Sequence, residues 1–270
     1  MARTEPFGID VSRWQDKMNW DAVASHASSV QFAGIRAGVS WGYQDSWFRW
    51  NWDESKRVGI PRGAYHVVYP GESVQRQMDA FLATVGEDRG ELPLILDCEL
   101  DHGLSVVQIN RTIEGCVDYL YQKTQRMPLL YTRANWVDTY ITGKGTPPAW
   151  LQSVDWWLAQ YLKSGVEHPG PVAIPKGVKA ERVLIHQTSD KGKPIGCGAA
   201  IKTMDYNRWI GTGSRSITEY LRGTAPAKPE PTAEAQELRL DLEHLCQQME
   251  AAAADLADVR DRYIQLIGMG

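Results

Sequence analysis

The sequence predicts an α/β fold: a TIM-like, irregular (β/α) barrel followed by a C-terminal α-helical coiled-coil segment. Three observations carry that prediction. The first 223 residues alternate short apolar runs with longer helical or irregular stretches. Eight such runs fit into about 220 residues, the scale of a closed or nearly closed β/α barrel. After Gly223 the composition turns first to Pro and then to Ala, Leu, Glu and Gln.

Along the chain, strands are expected at Phe7–Ser12, Phe32–Gly38, Gly63–Tyr69, Leu92–Leu100, Pro128–Thr132, Trp156–Tyr161, Val183–Gln187 and Thr203–Asn207. Most are β-branched or aromatic and bounded by Gly or Pro. Between them, the stretches near Trp20–His26, Phe48–Val58, Ser73–Val85 and Val106–Thr124 read as helices. Repeated strand and helix units of this kind imply parallel strands. From Trp156 onward too little sequence separates the strands for full helices, so the alternation is expected to degrade there. The barrel is assigned to residues 1–223.

Residues 224–232 contain Pro226, Pro229 and Pro231 and read as an extended linker. From Ala233 to Ile267 there is no Gly or Pro, and apolar residues recur at Ala235, Leu238, Leu242, Leu245, Met249, Ala252, Leu256, Val259, Tyr263 and Leu266. The intervals alternate 3 and 4, an a/d seam that predicts a coiled coil and a homo-oligomer through 235–266. A single helix docked on the barrel is the alternative. Residues 233–270 are therefore an oligomerisation segment in this reading.

The formal net charge of −4 provides no large cationic field, so neither nucleic acid nor anionic lipid is an expected partner. Cys98, Cys116, Cys197 and Cys246 form no CxxC pair, and neither a metal nor a cofactor is implied. Met1–Asp10 lacks the apolar run of a signal peptide, and no segment approaches 18 apolar residues. The expectation is a chain made in the cytoplasm, without membrane insertion, that reaches any outside target only after release. The aromatic count departs from ordinary usage, with 11 Trp and 11 Tyr against 4 Phe. Rings with a polar edge suit a cleft for sugar, and a Trp-rich core is the other reading.

Acidic residues recur at one level of the expected barrel: Asp10 near the end of the first strand, Asp97 and Glu99 at the end of the fourth, and Asp205 in the last. The C-terminal ends of barrel strands carry the chemistry in such folds. Strand alternation puts Asp97 and Glu99 on one face and Cys98 on the other, toward the covering helices. The two acids start about 6.6 Å apart by strand rise. A pair of carboxyls, one protonated and one ionised, is what glycoside hydrolysis requires, and burial beside a second negative charge holds a proton near neutrality. Solvated or ion-paired carboxylates and a metal site remain alternatives for a D-x-E triplet taken alone.

The segments FGIDVSRWQ, FAGIRAGVSWGYQD, GIPRGAYHVVYP, LPLILDCEL and HQTSD followed by MDYNRW resemble, in order and spacing, the family 25 glycoside hydrolases, lysozymes (N-acetylmuramidases) of phage and bacteria. The resemblance spans Phe7 to Ile210. It implies cleavage of the β-1,4 bond between N-acetylmuramic acid and N-acetylglucosamine in peptidoglycan, with Glu99 as general acid and Asp97 as the carboxylate assisting the 2-acetamido group. Asp10 and Asp205 correspond to two further active-site acids. Arg36, Asp45, Tyr65, His66, Tyr131, Trp157, Gln160 and Gln187 match positions that line or support the groove. Independently of the resemblance, His66 reads as an interior histidine, Trp47 and Trp50 as packing the inner face of their helix, and Trp41 as a loop ring able to stack on sugar. Retention or inversion at the anomeric carbon stays open.

Instead of a wall-binding repeat, the C-terminus offers an association element, which implies avidity on a polymeric substrate; the missing signal peptide points to a phage endolysin released through a holin-made lesion or to a lysin delivered in a virion. A non-catalytic sugar-binding barrel and a virion structural component are the competing classes.

Overall fold

The computed structural model describes residues 3–198, 200–222 and Gln248, the first two stretches lying in the unit Met1–Lys228. The linker and coiled-coil readings fall outside the described residues, Gln248 apart. The strands are β1 (Phe7–Val11), β2 (Val30–Val39), β3 (Tyr43–Gln44), β4 (Arg62–Val67), β5 (Ile95–Asp97), β6 (Leu129–Thr132), β7 (Asp155–Ala159), β8 (Val183–Gly192) and β9 (Met204–Trp209). They pair in the order β1-β9-β8-β7-β6-β5-β4-β2-β3, and a further β1–β2 pairing closes eight of them into a barrel. The two-residue β3 pairs only on β2, antiparallel, and was not expected from the sequence.

One expectation is corrected. β9 runs antiparallel to both of its neighbours, β8 and β1, so the barrel is not all-parallel. A parallel return needs a crossover of a dozen or more residues, usually a helix. The stretch from Lys193 to Thr203 is too short for one and returns as a hairpin instead. The reversal places the start of β9, not its end, beside the C-terminal end of β1, with Asp205 directly opposite Asp10.

The helices are α1 (Trp20–Ala24), α2 (Phe48–Arg57), α3 (Val74–Val85), α4 (Val106–Thr124), α5 (Ala134–Trp136, continued by a π-helical turn over Val137–Thr142) and α6 (Ile217–Leu221). The long helix α4 starts where Ser105 and Gln108 form a reciprocal capping box. Among the described residues no α-helix lies between β7 and β9, as the short spacing there implied. On α2 the buried face is Phe48, Asn51, Trp52 and Ser55. The reading of Trp50 as an inner-face residue is therefore corrected: it is exposed, its indole N–H donates to the Met18 carbonyl, and Lys17 sits over the ring. Trp47 is the half-buried N-cap of the same helix.

Strand alternation sorts the apolar residues into two cores. Leu96, Cys98, Leu130 and Leu158 face outward and pack with Met78 and Phe81 of α3 and Ile109, Ile113 and Val117 of α4. Ile95, Leu129, Ile185, Phe32 and Trp157 face inward and form a second cluster with Trp209 and Tyr220. Gly8 and Gly34 leave room for that cluster. A Cβ on Gly34 would lie 2.7 Å from the Trp157 ring, and one on Gly8 would lie 2.4 Å from the Phe32 ring.

α6 covers the N-terminal end of the barrel. The Tyr220 hydroxyl donates to Asp155, the first residue of β7, at 3.2 Å, and Arg182 and Arg215 pair with the same carboxylate. The described chain thus leaves the barrel at the end opposite Asp10, Asp97 and Asp205.

Candidate active site

At the C-terminal ends of β1, β2 and β4–β8 and the start of β9 lies a cavity of about 190 Å³, lined by Asp10, Ser12, Trp14, Gln15, Arg36, Tyr65, Ile95, Asp97, Glu99, Tyr131, Trp157, Gln187 and Asp205. Nine of the thirteen candidate residues singled out in the sequence meet here. β5 sends Ile95 and Asp97 inward and Leu96 outward, and the chain beyond it keeps the alternation, so Glu99 enters the cavity and Cys98 joins the outer core.

A continuous hydrogen-bonded chain holds the floor. The Tyr131 hydroxyl donates to Gln187 Oε1 at 2.8 Å, and Gln187 Nε2 donates to Asp10 Oδ2 at 3.1 Å. From the other side, Asn207 Nδ2 donates to the same oxygen at 2.8 Å, and Trp157 Nε1 donates to Asn207 Oδ1 at 2.9 Å. Two amide donors converging on one oxygen favour the ionised form of Asp10. Burial works against them and leaves its pKa raised overall. The rim is held separately: Arg36 Nε pairs with Asp45 Oδ2 at 2.7 Å, and the same oxygen accepts the Arg13 backbone N–H at 2.9 Å.

The remaining carboxyls are driven toward protonation. Asp205 is pushed up to about 9 by burial and by the charge of Asp10 facing it across the β1–β9 pair. Asp97 is raised well above the ordinary carboxylate range by burial, then by Glu99 and Asp10, and its Oδ1 is buried without a hydrogen-bond partner. Glu99 is also raised by burial, with Arg133 3.5 Å away opposing the shift. Its side chain keeps 33% of its surface exposed, so of the pair it is the acid that a solvent-borne substrate meets first. Burial also lifts Tyr65 and Tyr131 well above the ordinary phenol value, keeping both as neutral hydroxyls. The site thus joins an acid open to the cleft, a partnered carboxylate and polar-edged rings, which is the equipment for protonating a glycosidic oxygen and stabilising positive charge on a sugar.

Four sequence-derived candidates do not line this cavity: Asp45, which holds Arg36 at the rim, and Trp41, Gln160 and His66. Trp41 lies on the turn after β2, where its indole N–H donates to Glu72 at 3.1 Å and the Arg76 guanidinium covers the ring at 3.8 Å. Gln160 lies just past β7 in a neighbouring depression, with its amide oxygen accepting from the Ala173 N–H at 2.6 Å. His66 points to the outer core, stacked on Phe81 and held neutral by burial at a pKa of about 4.

Sequence reasoning missed Trp14, Arg133 and Asn207. Asn207 was within reach, because it lies two residues after Asp205 on one strand and must share its face. Trp14, exposed at the cavity mouth with Arg13 over its ring, carried no local signal beyond its place after the first strand. Arg133 directly follows β6, at the same level as the acids.

The aromatic excess divides between core and cleft. Trp20, Trp52, Trp156 and Trp209 are fully buried, whereas Trp14, Trp157, Tyr65 and Tyr131 line the cavity.

Residues 9–196 match the family model described as Glycosyl hydrolases family 25. Lysozyme M1 of Streptomyces globisporus is 31% identical over 220 residues, covering 78% of this chain and 69% of that protein. The uncharacterized protein YegX of Escherichia coli strain K12 is 30% identical over 208 residues, covering 76% and 70%. Among solved structures, the bacterial lysozyme of Streptomyces coelicolor superposes with a TM-score of 0.66 at 27% identity, over 82% of this chain and 99% of that one. The spore cortex lytic enzyme SleM of Clostridium perfringens gives a TM-score of 0.66 at 26% identity, over 81% and 70%.

Proposed function

The chain belongs to glycosyl hydrolase family 25, and from that premise we propose that it is a lysozyme cleaving the β-1,4 bond between N-acetylmuramic acid and N-acetylglucosamine in peptidoglycan. One observation carries the reading: a partly exposed Glu99 with a raised pKa stands at the rim of a cavity into which three further carboxyls converge. Glu99 delivers its proton to the leaving oxygen. Asp97, with a buried oxygen free of partners, accepts the N–H of the 2-acetamido group as that group approaches the anomeric carbon. Asp10, whose Oδ2 accepts from both Gln187 and Asn207, faces Asp205 across the β1–β9 pair, and the charge these two acids share balances the positive charge that develops. Tyr65, Tyr131, Trp157, Gln187 and Arg36 shape the cleft around the sugar.

The test is release of reducing ends from purified peptidoglycan, with the new end identified by borohydride labelling. Labelled muramitol supports the reading, and labelled glucosaminitol or no release refutes it. Glu99→Gln should lower the rate by about three orders of magnitude, combining loss of the acid with loss of its charge effects. Full activity in that variant would refute the assignment of the acid.

The same proposal extends to association through 235–266, supported by the a/d heptad spacing of that segment. Sedimentation of the full chain beside a chain ending at Gly223 tests this, and two monomers would refute it. The biological setting proposed is lysis of a bacterial host by a phage lysin. Cytoplasmic expression that leaves bacteria intact until the inner membrane is permeabilised would support it, and lysis without permeabilisation would refute it.

A further inference from the structure

A depression of about 480 Å³ opens beside the catalytic cavity, on the same end of the barrel, between the segments that follow β6 and β7 and the end of β8. Arg133 lines it and also stands 3.5 Å from Glu99, so one side chain joins the two spaces. Its charge is predominantly positive: Arg133, Lys163 and Lys191 against a single Asp190. The Lys191 ammonium is anchored on the Lys163 carbonyl at 3.0 Å, which ties the segment after β7 to the end of β8. Asp190 contributes a buried Oδ1 without a hydrogen-bond partner. Ala159 and Ala173 add small apolar surface.

A bare glycan is uncharged apart from its lactyl groups and offers little to such a surface. The peptide substituent of peptidoglycan offers what the surface lacks: methyl side chains, amide N–H donors and free carboxylates. We propose that this depression receives the peptide stem of the muramyl residue bound in the adjacent cavity, making Lys163 and Lys191 determinants of preference for peptide-bearing glycan. Stem carboxylates meet the cations, an amide N–H reaches Asp190 Oδ1, and alanine methyl groups rest on Ala159 and Ala173. The inference rests on the muramidase reading above.

The experiment compares kcat/KM on glycan chains with intact peptide stems and on the same chains stripped by an amidase. The full-length protein should favour the stem-bearing chains by about tenfold, the scale of one charge-assisted contact. Lys163→Glu should bring the ratio near one, and Lys163→Arg should preserve it. A ratio near one in the unaltered protein, or a ratio that Lys163→Glu leaves in place, overturns the inference while reducing-end release continues. Absence of release from both substrates refutes the hydrolase reading itself and the inference with it.

Discussion

Replacing Asp205 by Asn should flatten the dependence of stability on pH. In the unfolded chain this carboxyl titrates in the ordinary range, near 4. In the folded barrel it is pushed up to about 9 by burial and by Asp10 opposite it. Between those values the native state holds a proton that the unfolded state has released. The stabilising effect of that proton is complete below about pH 4 and is lost as pH rises through the folded value. At about 1.4 kcal/mol per pH unit, three units from pH 5 to pH 8 amount to about 4 kcal/mol for an isolated group. Asp10, Asp97 and Glu99 compete for the same protons, which reduces the expected difference to about 2 kcal/mol. In a barrel of this size that is a Tm difference of about 4–8 °C. At pH 5 the Asn amide replaces the protonated carboxyl as a donor to Asp10, and the two proteins should melt close together. At pH 8 the variant should melt higher. Thermal unfolding of both proteins in matched buffers across that range is the assay. Parallel Tm curves would refute the claim that Asp205 is held protonated.

Asn207→Ala removes the donor to Asp10 and the acceptor of the Trp157 indole N–H at once. It should cost about 2–4 kcal/mol in denaturant unfolding, with a loss of turnover. Gly34→Ala forces a methyl group against the Trp157 ring and the Asp10 side chain. It should destabilise by about 1–3 kcal/mol and distort the cavity, which near-ultraviolet circular dichroism of the tryptophans would register. Tyr220→Phe removes the hydrogen bond to Asp155 on the far side of the barrel. A cost of about 1–2 kcal/mol in stability with an unchanged kcat on peptidoglycan is expected, and a changed kcat would contradict a purely structural role for α6.

Local patterns were enough to locate most strands and the helices α1 to α4, because alternation and helix composition are properties of neighbouring residues. They also determined that Asp97 and Glu99 share a face while Cys98 turns to the helices: on one strand, residues two apart must point the same way. The D-x-E pair and the acids of the first and last strands were therefore legible in the order of residues alone. What the sequence could not determine was the direction of β9. That direction depends on whether a short connection returns as a hairpin or a crossover, and it decides which end of the strand stands beside Asp10. The pairing of Asp10 with Asp205, and the raised pKa that follows, is a contact between residues 195 positions apart in the numbering and has no local signature. The same reason separates Trp157 from Trp41. Trp157 lies inside β7, and barrel closure turns it into the cavity, whereas Trp41 lies on the turn after β2, where Arg76 and Glu72 hold it outside.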